Sequence, residues 1–231
     1  GVLVFLLTVL PMVGGSHMNL MKAESPGPSV SRLVLKVRST AKILYEIYIA
    51  MTILQVILLL IGRMPLFDAL TITFGTAGTG GFAILNDSLA SYSTYIQVVV
   101  TIFMILFGVN FNVYFLILAK HVIQALKIEE LWGYLGVIAA AILIITWDLR
   151  GIYESIPEAM QQAAFQVASI ITTTGYASTD FNLWPAFSRT ILVTLMFVGA
   201  CAGSTGGGIK VSRILIMLKE VRKEIRLACH P

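Results

Sequence analysis

Two short glycine turns, Thr79-Gly80-Gly81-Phe82 and Thr173-Thr174-Gly175-Tyr176, each lie between long apolar runs, and they constrain this chain more than any other feature. Irregular backbone at membrane depth is tolerated only where it is buried in protein or lines water, because each unpaired amide or carbonyl in hydrocarbon costs several kcal/mol. Carrying such a turn twice implies backbone placed in the membrane for a purpose, and the pattern is that of an ion pore.

The flanking runs have membrane length. Charged residues make up 12% of the 231 residues, about half the roughly 25% of an ordinary soluble domain. Runs at about 1–21, 43–61, 95–119, 131–149 and 186–218 reach the ~20 helical residues that cross a bilayer. Five spanning helices are therefore expected, in an all-α polytopic membrane protein. The chain opens at Gly1 without an initiator Met, a basic segment or a small-residue cleavage site, which argues against a signal peptide. Both ends read as cuts in a longer chain. Gly15-Ser16-His17-Met18 looks like a tag scar, but between an apolar helix and a basic loop it reads as native.

Charge sets the topology. Followed through the helices in alternation, thirteen Lys and Arg, among them Lys120, Lys127, Lys210 and Arg213, fall on one side, and Arg63, Arg150 and Arg189 fall on the other. Short loops rich in Lys and Arg stay inside, so the first side is cytoplasmic and both glycine turns open outwards. The outer segments carry Asp68, Asp87, Asp148, Glu154, Glu158 and Asp180, a net negative face that concentrates cations. Asp68 and Glu158 follow Pro65 and Pro157 at helix starts, where a carboxylate also complements the helix dipole. Asp87 and Asp180 either attract cations or cap the next helix. Cys201 and Cys229, lone thiols at or below the cytoplasmic end of the last helix, imply neither a disulfide nor a metal site.

The chain repeats itself. Residues 42–130 and 131–231 each run apolar helix, proline, short segment with a carboxylate, glycine turn, second apolar helix, after an opening segment 1–41. Gly81 and Gly175 match 94 positions apart as the glycine before an aromatic, with Gly80 as the competing match in the first repeat. Asp68 to Gly81 is thirteen positions and Glu158 to Gly175 seventeen, so the second short helix is expected to be about one turn longer. Such a helix aims its negative end at the membrane centre, and the returning chain can offer carbonyl oxygens in place of an ion's water shell. Thr172, Thr173 and Thr174 add hydroxyls that either hold the turn or face the ion.

From Gly199 to Gly208 ten small residues interrupt the last apolar run, five of them glycine. At about 1 kcal/mol each relative to Ala, those glycines remove roughly 5 kcal/mol of helix propensity. A break is expected, with freed amides turned to water or ions and a flexible gate above Lys210 and Arg213. Two enzyme readings fail here. A phosphate-binding loop needs Lys directly after the last glycine, but Ile209 stands there and Lys210 comes one place late. A serine hydrolase using Ser204 needs a base within the membrane, yet His17, His121 and His230 all fall at cytoplasmic ends.

Five stretches together resemble the Trk/Ktr/HKT superfamily of potassium transporters, and within it the bacterial Trk-type membrane subunit. They are Lys22-Ala23-Glu24-Ser25-Pro26-Gly27-Pro28; Phe67-Asp68-Ala69-Leu70 with Thr79-Gly80-Gly81-Phe82; Gly108-Val109-Asn110-Phe111-Asn112; Thr172 to Phe181; and Ala202-Gly203-Ser204-Thr205-Gly206-Gly207-Gly208-Ile209-Lys210. The resemblance implies four helix-pore loop-helix repeats in pseudo-fourfold array around one pore, of which this chain matches the end of the first, the second and the third. It implies that Gly81 and Gly175 are filter glycines, with K⁺ held at Gly81 and Gly175 beside Thr79 and Thr174, and with Gly80, Thr173 and Tyr176 in the same turns. Ala202 to Gly208 with Lys210 becomes an intramembrane gate. A filter glycine goes with potassium preference in the family. The resemblance further implies no enzyme, no organic cofactor, a homodimer in the cell inner membrane in contact with lipid, a cytoplasmic nucleotide-binding regulatory subunit and no nucleic acid. The other reading is a non-conducting membrane subunit kept as an assembly platform. Two of four repeats cannot enclose a pore, so these residues are not expected to fold alone.

Overall fold

The structure, a computed structural model, describes residues 37–229, with the side chains of 42–226. The apolar run at 1–21, the stretches 15–18 and 22–28, His230 and the side chain of Cys229 lie outside these residues. Every named element of the described part is helical. Two helices, α1 (Val37–Ile61) and α6 (Glu129–Leu149), contain spans long and apolar enough to cross a membrane. Each is amphipathic in the membrane sense. Helix α1 buries Ile47, Thr52, Gln55 and Leu59 while Ile53, Leu54, Ile57 and Ile61 stay exposed, which separates a protein-facing from a lipid-compatible stripe.

The helix order repeats. In the first unit α1 is followed by α2 (Leu66–Ala77), α3 (Thr94–Phe107) and α4 (Phe111–Leu118). A short α5 (Val122–Leu126) leads into the second unit, made of α6, α7 (Ile156–Ile171), a 3-10 turn at Phe181–Leu183, α8 (Ala186–Phe197) and α9 (Val211–Cys229). Helix α7 starts at an N-cap, in which the Ser155 hydroxyl accepts the Glu158 amide at 3.3 Å beside Pro157. The short helices have 12 and 16 residues, and the extra four are the additional turn that the unequal spacing predicts.

The buried apolar residues form two clusters, and α7 belongs to both. Tyr134, Ile138, Ile145 and Leu149 of α6 pack with Ala159, Ala163, Val167 and Ile171 of α7. On its other side α7 gives Phe165 and Ala168 to a cluster with Ile72, Phe103, Met104 and Phe107. Tyr176 closes the contact between the units: its side chain is 1% exposed and its hydroxyl donates to the Ile72 carbonyl at 3.0 Å.

The run at 95–119, expected as one straight helix, is broken. Helices α3 and α4 meet at 87°. Gly108 and Asn110 make the elbow, the Asn110 side chain accepting the Asn112 amide at 2.9 Å as the cap of α4. Phe107 packs against Tyr48 edge-to-face at 5.7 Å between centroids, and Phe111 against Tyr114 at 5.8 Å. What turns the chain is the other unit. Phe107 and Gly108 offer their carbonyls, and Phe111 its amide, to the loop that interrupts the last apolar run, so hydrogen bonding lost by the helix is recovered from a distant segment.

Gly108 admits no side chain, since a Cβ there would lie 2.1 Å from the Tyr134 hydroxyl and 2.9 Å from Thr172 Cγ2. In the full-length protein Gly108→Val is expected to lower the detergent melting temperature, an overpacking cost of about 1–3 kcal/mol. Gly136→Ala, which meets nothing within 4 Å, serves as the control and should melt like the native protein.

Candidate functional site

The two glycine turns have one backbone design at a shift of 94. Gly78, Thr79 and Gly80 donate to the carbonyls of Phe74, Thr76 and Gly75, and Thr172, Thr173 and Thr174 donate to those of Ala168, Ile170 and Ser169. Thr79 and Thr173 take φ of 50° and 58°, and Gly81 and Gly175 take 66° and 89°. This register pairs Gly81, rather than Gly80, with Gly175. A left-handed threonine costs roughly 1–2 kcal/mol, and both turns accept that cost at the same place.

Beyond the turns the carbonyls run free. Among the described residues, the carbonyl oxygens of Thr79, Gly80, Gly81, Thr173, Thr174 and Gly175 accept no hydrogen bond. Thr173 and Gly175 are exposed at this surface. The two turns abut, for a Cβ on Gly81 would sit 1.9 Å from the Thr174 carbonyl oxygen. Among the described residues no group of three or more His, Cys, Asp or Glu side chains is placed to hold a metal ion. The oxygen atoms that these turns could offer a cation are backbone carbonyls and threonine hydroxyls.

The hydroxyls divide the tasks that the sequence leaves open. Thr172 donates to Ala168 and shares a 2.7 Å bond with Thr174, which ties the turn to its helix. Thr79 and Thr173 point to the interrupted helix beneath: Thr79 donates to the Thr205 carbonyl at 3.0 Å, and Thr173 accepts the Gly207 amide at 2.7 Å.

The interruption extends from Val198 to Lys210 between α8 and α9. Several of its amides find partners within the protein. The Gly199 amide donates to Ile209, Cys201 to Gly108 and Thr205 to Phe107, while the Gly203 carbonyl accepts the Phe111 amide. The Ser204 hydroxyl donates to the Cys201 carbonyl at 2.6 Å, and the Lys210 ammonium to that of Gly206. Glycine is required where the strands of this loop touch, because a Cβ on Gly199 would lie 2.2 Å from the Gly207 oxygen.

Glu130, in the first turn of α6, belongs to this site and was missed by sequence reasoning. It is 8% exposed. Its Oε1 accepts the amides of Ala202 at 2.6 Å and Ser212 at 3.2 Å, and its Oε2 the Asn110 side chain at 3.4 Å. A carboxylate at the start of an apolar helix reads equally as a dipole complement, and only its distant partners identify the role.

The outer acids are largely engaged locally. Asp68 accepts the Tyr92 hydroxyl at 2.9 Å, Asp148 that of Ser188 at 2.6 Å and Asp87 that of Ser91. Asp180 caps the 3-10 turn through the Asn182 amide at 3.0 Å. Burial, with the Asp68 hydrogen bond and charge added, pushes the Tyr92 phenol up to about 12, so it remains a donor at neutral pH.

The family model described as TrkH, cation transport protein, matches residues 1–136 and 115–231. The chain is 34% identical over its whole length to the Trk system potassium uptake protein TrkH of Salmonella typhimurium, covering 49% of that protein. To the Trk system potassium uptake protein TrkG of Escherichia coli it is 30% identical, again over its whole length and covering 48%. The crystal structure of the potassium transporter TrkH from Vibrio parahaemolyticus superposes with a TM-score of 0.82 at 32% identity, across 92% of this chain and 47% of that one. The chain thus spans about half the length of the relatives it matches.

The register of the first turn can be tested by mutation. Gly81→Ala combines a positive φ with a backbone clash, whereas a Cβ on Gly80 meets only the Phe82 ring at 3.3 Å and the Gly75 oxygen at 4.0 Å. In the full-length protein Gly81→Ala is expected to depress the melting temperature well below that of Gly80→Ala; equal melting would remove Gly81 from the strained position.

Proposed function

The chain belongs to the TrkH family of cation transport proteins, and from that premise we propose that it forms the central part of a potassium uptake protein whose ions pass the two glycine turns. The observation that carries this reading is the common backbone of those turns, with six carbonyl oxygens that accept no hydrogen bond among the described residues. K⁺ at Gly81 and Gly175, beside Thr79 and Thr174, would exchange water for these oxygens at little reorganisation cost.

A detail of the first turn supports further repeats around the same axis. Tyr176 packs on α2, but its counterpart Phe82 is 80% exposed. A pore helix of the same kind placed beside Phe82 would cover it as α2 covers Tyr176, which is the geometry of a pseudo-fourfold ring. The loop from Ala202 to Gly208, with Lys210 folded back on Gly206, lies under both turns through Thr79 and Thr173 and is the gate. The protein works as a homodimer in the inner membrane, basic loops inside, with a nucleotide-binding regulatory subunit on the cytoplasmic face. Its relatives are named for potassium uptake and not for a chemical reaction.

The test is K⁺-limited growth and Rb⁺ uptake by the full-length gene in a strain without its own potassium uptake, with Gly175→Ser alongside. Gly175 has open space before it but φ of 89°, so serine fits sterically while straining the turn by roughly 1–2 kcal/mol. Uptake that falls several-fold, or loses preference for Rb⁺ over Na⁺, is the expected result. No uptake by a well-expressed native protein with its regulator present would instead favour an assembly platform.

A further inference from the structure

We propose that Glu130 is the latch of the interrupted helix, a positioning residue that holds the loop under the turns by gripping both of its ends. The inference rests on the transport reading only for what the loop gates. The grip itself is geometric: one buried carboxylate oxygen accepts the amide of Ala202, where the loop begins, and the amide of Ser212, where α9 begins. The other oxygen accepts the Asn110 side chain at the elbow between α3 and α4. A single charge therefore joins three segments, two of them outside regular helix and the third the first turn of α9.

The remaining contacts of the loop divide by strength. Its middle, from Gly203 to Gly208, meets the two turns through the hydroxyls of Thr79 and Thr173 and the elbow through Phe107 and Phe111, all neutral hydrogen bonds, while the Lys210 ammonium ties Gly206 to the loop's own end. Its ends are held by a carboxylate at 8% exposure, where charge-assisted bonds are roughly twice as strong as neutral ones. Moving the middle aside breaks neutral bonds to the turns and the elbow, but swinging the whole loop out of the path also requires Ala202 and Ser212 to leave Glu130. A buried carboxylate without those amides would be strongly unfavourable, so the bonds to Glu130 are the strongest of those that separate closed from open loops. The position of that equilibrium then follows from how well residue 130 accepts from the two amides.

Cys201 reports on the latch. It is fully buried, and its amide donates to Gly108 beside the gripped Ala202, so a loop that lets go exposes its thiol. The experiment labels the full-length protein in membranes with N-ethylmaleimide and follows the peptide carrying Cys201 by mass spectrometry, for native protein and Glu130→Gln. Rb⁺ uptake without the regulatory subunit is measured in parallel. The amide of glutamine keeps the shape and loses the charge, and weakening a charge-assisted bond should speed Cys201 labelling roughly tenfold. Regulator-independent uptake should rise with unchanged preference for Rb⁺ over Na⁺, since Glu130 touches no ion. Should Glu130→Gln fail to accumulate, Glu130→Asp carries the same test, because its shorter side chain cannot reach both amides. Labelling at the native rate overturns the proposal, and so does faster labelling with lost ion preference, which is general loosening. If the native protein transports nothing, the transport reading falls while the labelling still decides the latch; if it transports and both readouts stay native, only the latch falls.

Discussion

Hydrogen bonding of the backbone where water is scarce is the constraint on which this structure depends. A membrane helix can be broken only if something else meets the freed amides and carbonyls. Here two breaks meet each other. The carbonyls of Phe107 and Gly108 and the amide of Phe111, released by the elbow between α3 and α4, bond to Thr205, Cys201 and Gly203 of the interruption between α8 and α9. Neither break is stable by itself, because each would bury unpaired polar groups. Formed together they make an irregular, polar layer beneath the glycine turns, and Glu130 adds the charge that closes its ends.

The turns above depend on that layer and on each other. Helices α2 and α7 end in the same sequence of bonds and left-handed residues, so each presents its returning chain to the same side. They approach until Gly81 lies against the Thr174 carbonyl, a distance only a glycine permits. Tyr176 locks the second turn to the first unit through Ile72 and sits where a Cβ on Gly75 would lie 2.1 Å from its hydroxyl. Small residues here serve two purposes: at Gly81 and Gly175 they allow the dihedral angle, and at Gly75 and Gly199 they allow another group to come close.

Much of the candidate site was legible because its signals are local. A proline and a carboxylate mark the start of a short helix, a glycine before an aromatic marks the turn, and their spacing predicts the extra turn of α7. The break at Gly199 to Gly208 follows from propensity alone. The signals that failed are those with two explanations in one window. Asp87 and Asp180 engage neighbours in the next few residues, as caps do, and the sequence could not choose between a cap and a cation site. Gly108 and Asn110 read as two tolerated residues within a 25-residue apolar run, and neither announces an 87° elbow.

The sequence by itself therefore determined the class of protein, the repeat, the two turns and the place where the last helix stops, since hydropathy, glycine and proline act within a few residues of themselves. Tertiary structure decided the elbow at Gly108, the partners of the loop amides and the role of Glu130. The bonds between the elbow and the loop, and those from Glu130 to the Ala202 and Ser212 amides, join residues 72 or more positions apart. A freed amide announces a need in the sequence but not the partner that meets it, because any carbonyl or carboxylate brought near by packing will do.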